Sequence, residues 1–358
     1  MKKILFLYSA VNYGGLVRNL SNIVNSLDCK KFEIFIYSVD TKEETVRLNT
    51  NFKINYLEAK SKIDISAIIK LRKILKQEKI NILSCHSFKP NFYGLFASIF
   101  LDTKTIAMLH GWVGQSLKLH IYQYLDRFLI RFFNKIIVLA EYQKIQLKKL
   151  LINQSKIFVN YNAVDTKYFS SNFEPIKREE LNIPIEAVVL ISVSRLEPEK
   201  QVFQIINSLA KVDNPKFYLL ILGNGRELEK LKAQAKDLKL EKNILFLGQV
   251  KDIRPYTSIS DIFITASKIE GLPNSLLEAQ CCGIPVIASN ITAHQEIIKD
   301  NETGVLFNLD DCSDLSYKIK SLASNSDLRE KIKKKARANI EEKFTLVRRI
   351  SELEKIYI

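Results

Sequence analysis

Glu270-Gly-Leu-Pro-Asn-Ser-Leu-Leu-Glu278 runs directly into Ala-Gln-Cys-Cys-Gly283-Ile-Pro285. Before it, Asp261-Ile-Phe-Ile-Thr-Ala266 is a short apolar run rich in β-formers and reads as a buried strand. After it, residues 275–282 read as a helix, opened by Pro273 with Asn274 as N-cap and stopped at Gly283. The two glutamates therefore flank a strand-to-helix turn. Backbone N–H groups around Asn274, Ser275 and Leu276 point out of that turn with the helix dipole behind them, which makes an anion site. A carboxylate on each side suits the hydroxyls of a sugar or a ribose, since carboxylates accept their hydrogen bonds.

The same rhythm extends outward in both directions. In the second half, residues 187–193, 217–222, 244–247, 262–266, 285–288 and 305–307 read as buried strands. In the first half, 3–8, 32–38, 53–57, 80–85, 105–109 and 136–139 do. Helical stretches such as 16–27 and 65–79 lie between them. Strand alternating with helix predicts α/β architecture: two doubly wound, Rossmann-like parallel sheets with helices on both faces. Their domains are placed at 1–170 and 171–340, joined by a polar stretch over 170–180, with a C-terminal helix over 341–358. The opening Met-Lys-Lys-Ile-Leu-Phe-Leu-Tyr imitates a secretory leader, but its apolar run is short, lacks a clear cleavage site and reads better as the first strand.

In such sheets ligands sit beyond the carboxyl ends of the strands, so residues just after strands carry the candidate chemistry. Gly14-Gly15 follows the first strand, where paired glycines let a ligand approach the backbone. His86 and His110 follow the fourth and fifth strands, where an imidazole can donate to sugar or phosphate oxygens. Of these His110, in His110-Gly111-Trp112, is the stronger candidate. In Ser194-Arg195-Leu-Glu-Pro198-Glu-Lys200, Pro198 suits a first helical position and puts Lys200 in the first turn, at the unfavourable end of the dipole. An anion held by Arg195 and Lys200 would relieve that mismatch; so would Glu197 or Glu199.

Taken together these segments resemble the retaining GT-B glycosyltransferases of family 4. Glu-x7-Glu with Gly271-Leu272-Pro273 inside it, followed by Gly-Ile-Pro-Val-Ile-Ala-Ser289, resembles the family's nucleotide-sugar signature. Ser194-Arg195-Leu-x-x-x-Lys200 resembles its diphosphate clamp, with Gln201 where a glycine is usual. Asn160-Tyr-Asn-Ala-Val-Asp165 resembles the segment closing the first domain. The resemblance implies two domains facing across a cleft and transfer of a sugar from a nucleotide-diphosphate sugar, with UDP favoured. Arg195 and Lys200 would neutralise the diphosphate without a metal, and Asn274 and Ser275 would hold its other phosphate. Glu278 would take the ribose and Glu270, with His110, the transferred sugar. Gly14 and Gly15 would lie near donor and acceptor, and Gly223, Asn224 and Val250 near the nucleotide. No cofactor and no protein general base are implied. A nucleotide-sugar epimerase on the same fold and a catalytically idle nucleotide-binding module are the alternatives.

Bulk properties bound the partners. The formal net charge is +15. Residues 1–170 hold 26 Lys+Arg against 12 Asp+Glu, and the remainder 28 against 27. So lopsided a field points the first half toward something anionic. Residues 119–133 place Ile121, Leu125, Phe128, Leu129 and Phe132 at helical spacing near Lys118, Arg127, Arg131 and Lys135, and Lys70-Leu-Arg-Lys-Ile-Leu-Lys76 is a second basic piece. Each reads either as a core-facing helix or as one lying on an anionic bilayer. The acceptor expected from this is a saccharide or polyprenyl-diphosphate-linked glycan at the inner face of the plasma membrane, in surface-polysaccharide or lipopolysaccharide assembly. Nucleic acid is not expected, because no binding motif accompanies the charge. Five cysteines without metal spacing suggest reduced thiols in the cytoplasm.

Overall fold

The computed structural model describes residues 1–10, 14–61, 63–111, 117–170 and 173–358, with side chains at 117–120 and 170 excepted. It divides into two compact units, Met1–Asn162 with Val347–Ile358, and Ala163–Leu346.

The first unit is built on β1 (Lys2–Tyr8), whose last five residues are all buried. A strand buried on both faces is the central strand of a parallel sheet. It pairs with β2 (Phe32–Ser38) on one side and β4 (Ile82–His86) on the other. β3 (Ile54–Tyr56) forms one edge, and β5 (Lys104–Leu109), β6 (Lys135–Val138) and β7 (Ile157–Val159) continue the sheet in the order β3-β2-β1-β4-β5-β6-β7. β7 is absent from the strands expected above: three residues between a 3₁₀ turn and a polar loop carry too little pattern to register. One face of the sheet packs Leu5 and Leu7 against Leu71, Tyr93, Ile130 and Leu147 of successive helical segments. On the other, the rings of Phe6 and Phe32 each meet Tyr357 of the last helix, Leu346–Tyr357, edge-on at 6.2 Å.

The helix Leu117–Leu129 carries the apolar stripe expected above. The core-facing reading is wrong: Ile121, Leu125, Phe128 and, just beyond it, Phe132 are 56%, 45%, 56% and 59% exposed. Asp126, Ile130 and Phe133 turn inward instead, Asp126 accepting a hydrogen bond from Asn91 at 2.8 Å. No helix among the described residues is long and apolar enough to cross a membrane.

The second unit repeats the plan with β8 (Val188–Val193), β9 (Phe217–Leu222), β10 (Ile244–Gly248), β11 (Ile262–Thr265), β12 (Val286–Ser289) and β13 (Val305–Phe307). Their order is β10-β9-β8-β11-β12-β13. Sequence order reverses between β8 and β11, which makes the gap beyond their carboxyl ends the topological switch point, where doubly wound sheets bind ligands. The polar stretch after residue 172 is anchored here: the Arg178 guanidinium donates to the carbonyls of Ile185, Ala187 and Ile259 and pairs with Asp261.

Candidate active site

Two loops meet at the switch point of the second unit. The chain leaving β8 runs through Arg195 into a 3₁₀ turn, Pro198–Lys200, and the chain leaving β11 carries Glu270. The Lys268 N–H donates to the Glu199 carbonyl at 2.8 Å, tying the loops together. Lys200 Nζ then lies 2.5 Å from Glu270 Oε1, with the two side chains 12% and 13% exposed. Burial alone would raise the Glu270 carboxyl. The charge and hydrogen bond of Lys200, with smaller help from His294 and Ser267, outweigh it and hold the group below its ordinary value.

The expected position of Lys200 needs correction. It ends the separate 3₁₀ turn, and the helix proper starts afterwards, at Val202. The dipole mismatch expected of a first-turn lysine is therefore not what fixes it; Glu270 is. Between the two elements Gln201 adopts φ +48°. That left-handed conformation is the reason a glycine suits this position. Arg195 remains 46% exposed and donates to Glu199 at 3.3 Å, while Glu197 pairs with Arg226 at 2.8 Å. So Glu199 alone of the two engages Arg195, and it leaves the guanidinium half open.

The helix after Glu270 spans Asn274–Cys281, and Pro273 rather than Asn274 occupies its N-cap position, without a side-chain cap. First-turn amides such as those of Ser275 and Leu276 have no intrahelical acceptor. Gly271, Leu272 and Pro273 are buried beneath the turn, and Glu278, one turn in, is 3% exposed. The glycine loop after β9 is dictated by close approach. A Cβ on Gly223, at φ +145°, would lie 1.8 Å from the Ser194 carbonyl oxygen, and one on Gly225 2.3 Å from that of Leu196. The Gly223 N–H donates to the Gly248 carbonyl at 2.7 Å, and Gly248, at φ +68°, faces the Asn224 side chain. The Leu196 N–H donates to the Asn224 carbonyl at 2.9 Å, which brings Asn224 beside the Arg195 loop; Val250, two residues beyond Gly248, is half-buried.

Sequence reasoning missed His294. It is fully buried and its Nδ1 lies 2.7 Å from the Ser289 carbonyl oxygen. A carbonyl only accepts, so the proton sits on Nδ1 and Nε2 is a bare acceptor. Burial holds the imidazole neutral, while the charges of Glu270 and Lys200 act on it in opposite senses. The available signal was its place, five residues after the end of β12, a strand adjacent to β11.

In the first unit, Gly14 takes the N-cap position of the helix Gly15–Ser26, and among the described residues nothing lies within 4 Å of where its Cβ would be. Asn12, Tyr13 and Trp112 lie outside the described residues. His86 is fully buried inside β4, so it does not present itself to a ligand as considered above. Its Nδ1 lies 3.1 Å from Nε2 of His110, which is half-buried beyond β5. Burial, with the Arg349 charge behind it, pulls the His110 pKa down to about 3.

Comparison with known proteins bears on the family and the fold. Residues 173–339 match the profile of the glycosyl transferases of group 1, and residues 13–168 that of Glycosyltransferase Family 4. The chain is 29% identical over 308 residues to an Escherichia coli UDP-Gal:alpha-D-GlcNAc-diphosphoundecaprenol alpha-1,3-galactosyltransferase, covering 82% of this chain and 79% of that protein. It is 25% identical to a Campylobacter jejuni alpha-1,4-N-acetyl-D-galactosaminyltransferase named for a diNAcBac-PP-undecaprenol-linked acceptor, over 93% and 92% of the two chains. The crystal structure of Anabaena HepE in complex with UDP superposes with a TM-score of 0.89 over 100% and 99% of the chains at 19% identity.

Proposed function

Since the chain belongs to the GT-B glycosyltransferases of the family 4 type, we propose that it moves a sugar from a UDP-sugar to a lipid-linked saccharide, with retention at the anomeric carbon and without a metal. The carrying observation is the Lys200–Glu270 pair at the switch point, with Arg195 half open beside it. A lysine held within hydrogen-bonding distance of one carboxylate is ready to exchange that partner for a diphosphate. Charge on the leaving diphosphate rises as the glycosidic bond breaks, so cations already in place there stabilise the transition state more than the ground state. The helix amides at Ser275 and Leu276 serve the second phosphate, Glu278 the ribose, and Glu270 the hydroxyls of the transferred sugar. The leaving diphosphate itself takes the acceptor's proton, so the protein supplies no general base.

The acceptor side of the proposal rests on the two relatives named for undecaprenol-linked acceptors and on the exposed apolar residues of the first unit. These support a position at an anionic membrane surface, with the helix Leu117–Leu129 against the lipid. The donor half is tested by calorimetry with UDP, GDP and ADP in EDTA. Tight binding of UDP alone supports it, and binding of none overturns it; nucleotide binding with no release of nucleotide from any sugar donor returns the idle-module reading. Conversion of UDP-N-acetylglucosamine with no acceptor present would instead reveal the epimerase.

A further inference from the structure

One line of buried polar atoms in the first unit has no place in the chemistry above. Tyr357 OH lies 3.4 Å from Ser84 Oγ, Ser84 Oγ lies 3.1 Å from His86 Nε2, and His86 Nδ1 lies 3.1 Å from His110 Nε2. Tyr357, Ser84 and His86 are all but inaccessible to water. At the far end, His110 Nδ1 is buried with no partner among the described residues.

Every hydrogen on this line has to point somewhere. Arg349, 2% exposed, gives its N–H groups to the Asn19 and Asn160 side chains and has no carboxylate partner among the described residues. An uncompensated positive charge so close disfavours a second proton on either imidazole, so each carries one N–H and one bare nitrogen. The Tyr357 hydroxyl has Ser84 as its hydrogen-bond partner and no other among the described residues, so its proton points at Ser84 Oγ. Ser84 then gives its own proton to His86 Nε2, and His86 donates from Nδ1 to His110 Nε2. The one remaining proton sits on His110 Nδ1. The opposite polarity would strand the O–H of Tyr357, 1% exposed, without an acceptor, which a dry interior penalises, whereas this one puts the open N–H on His110, the one member of the line that is only half-buried.

We infer that Tyr357, Ser84 and His86 are positioning residues that lock His110 as its Nδ1–H tautomer, so that His110 offers the bound substrate a hydrogen-bond donor and not a base. The partner it fits is an oxygen acceptor, a hydroxyl or phosphate oxygen of the sugar donor or acceptor. The inference rests on the proposed placement of His110 at the transfer site, but the tautomer does not depend on that placement.

The experiment is ¹⁵N–¹H correlation spectroscopy of the full chain labelled at its four histidines, assigned by single His→Gln variants. The expected result at neutral pH is Nδ1–H on both His86 and His110; Nε2–H or an imidazolium on His110 overturns the inference. Tyr357→Phe keeps the ring against Phe6 and Phe32 and removes the stranded-proton penalty. His110 should then become a mixture of tautomers. With activity as the second readout, kcat should fall about threefold to tenfold, the range one hydrogen bond is worth, with the donor KM unchanged. A fall in kcat with the tautomer unmoved would assign the effect to packing and overturn the relay. Mixed tautomers with unchanged kcat would overturn the role of His110 as a donor to substrate. A chain that transfers no sugar at all would still give the tautomer, so failure of the functional reading is separable.

Discussion

Lys200 and Glu270 carry opposite charges in a nearly dry setting, 2.5 Å apart. Removing one partner leaves the other buried and alone, which in comparable pairs costs about 3–5 kcal/mol of stability. Lys200→Ala should therefore lose about 10²-fold or more in turnover, the loss typical of one electrostatic stabiliser, and also melt earlier. Lys200→Met in a Glu270→Gln background separates the two effects, because it removes the charges together. Turnover in that double variant should stay down while the melting temperature recovers; recovery of turnover would refute the clamp. The pair also fixes a sign in acid. Because the folded carboxyl of Glu270 lies below its ordinary value of 4.5, its stabilisation is complete above that value and disappears as pH falls through the folded one. Acid unfolding of wild type and Glu270→Gln should converge at low pH and diverge above about pH 5. His110, held near 3, is neutral throughout that divergence. Profiles of kcat/KM should then lack a limb at pH 6–7 belonging to it, and His110→Gln should leave the shape of the profile unchanged.

At the scale of elements, the turn at Gln201 is the clearest case of sequence and structure pulling apart. Its φ of +48° suits glycine, and a non-glycine residue there costs roughly 1–2 kcal/mol. The Gln201 side chain also meets Gln204, which in turn donates to Asp310 at 2.7 Å. Gln201→Gly should raise the melting temperature by a few degrees, unless loss of the Gln204 contact cancels the gain; scanning calorimetry on the single variant decides. The same turn shows what was legible in the residues. Long apolar runs such as Ile4–Tyr8 and Leu219–Leu222 announced both sheets, because strands buried on two faces leave no room for polar residues. Glu270 and Lys200 were singled out by motif, but their pairing was not, since these two residues, 70 apart, meet only because β8 and β11 are neighbours. His294 escaped for the same reason, and β7 because three residues make no period. The stripe at Ile121, Leu125 and Phe128 was visible, yet spacing alone does not say whether a face meets core or solvent.

At the scale of the whole molecule, charge is partitioned by unit. Met1–Asn162 with Val347–Ile358 carries 28 Lys+Arg against 13 Asp+Glu, and Ala163–Leu346 carries 26 of each, so the entire net charge of +15 lies on the first unit. That unit also exposes Ile65, Ile69, Phe100, Ile121, Phe128 and Leu151 on or beside helical segments whose inner sides share one core. An apolar face on a cationic body suits a bilayer with anionic headgroups. Each lysine or arginine near such a surface is worth about 1 kcal/mol at low salt, and each buried apolar side chain adds a term that salt does not screen. The two contributions therefore separate experimentally. Binding to vesicles with about a third phosphatidylglycerol should be strong in dilute buffer and fall steeply as ionic strength passes the point where the screening length drops below about 10 Å. Ile121→Ser with Phe128→Ser should weaken binding at every salt concentration without lowering the melting temperature, because both residues are already exposed. Equal binding to purely zwitterionic vesicles would assign attachment to the apolar face alone. Binding to neither would remove the membrane from the proposal and leave the proposed nucleotide residues Arg195, Lys200 and Glu278, which belong to the neutral unit, standing by themselves.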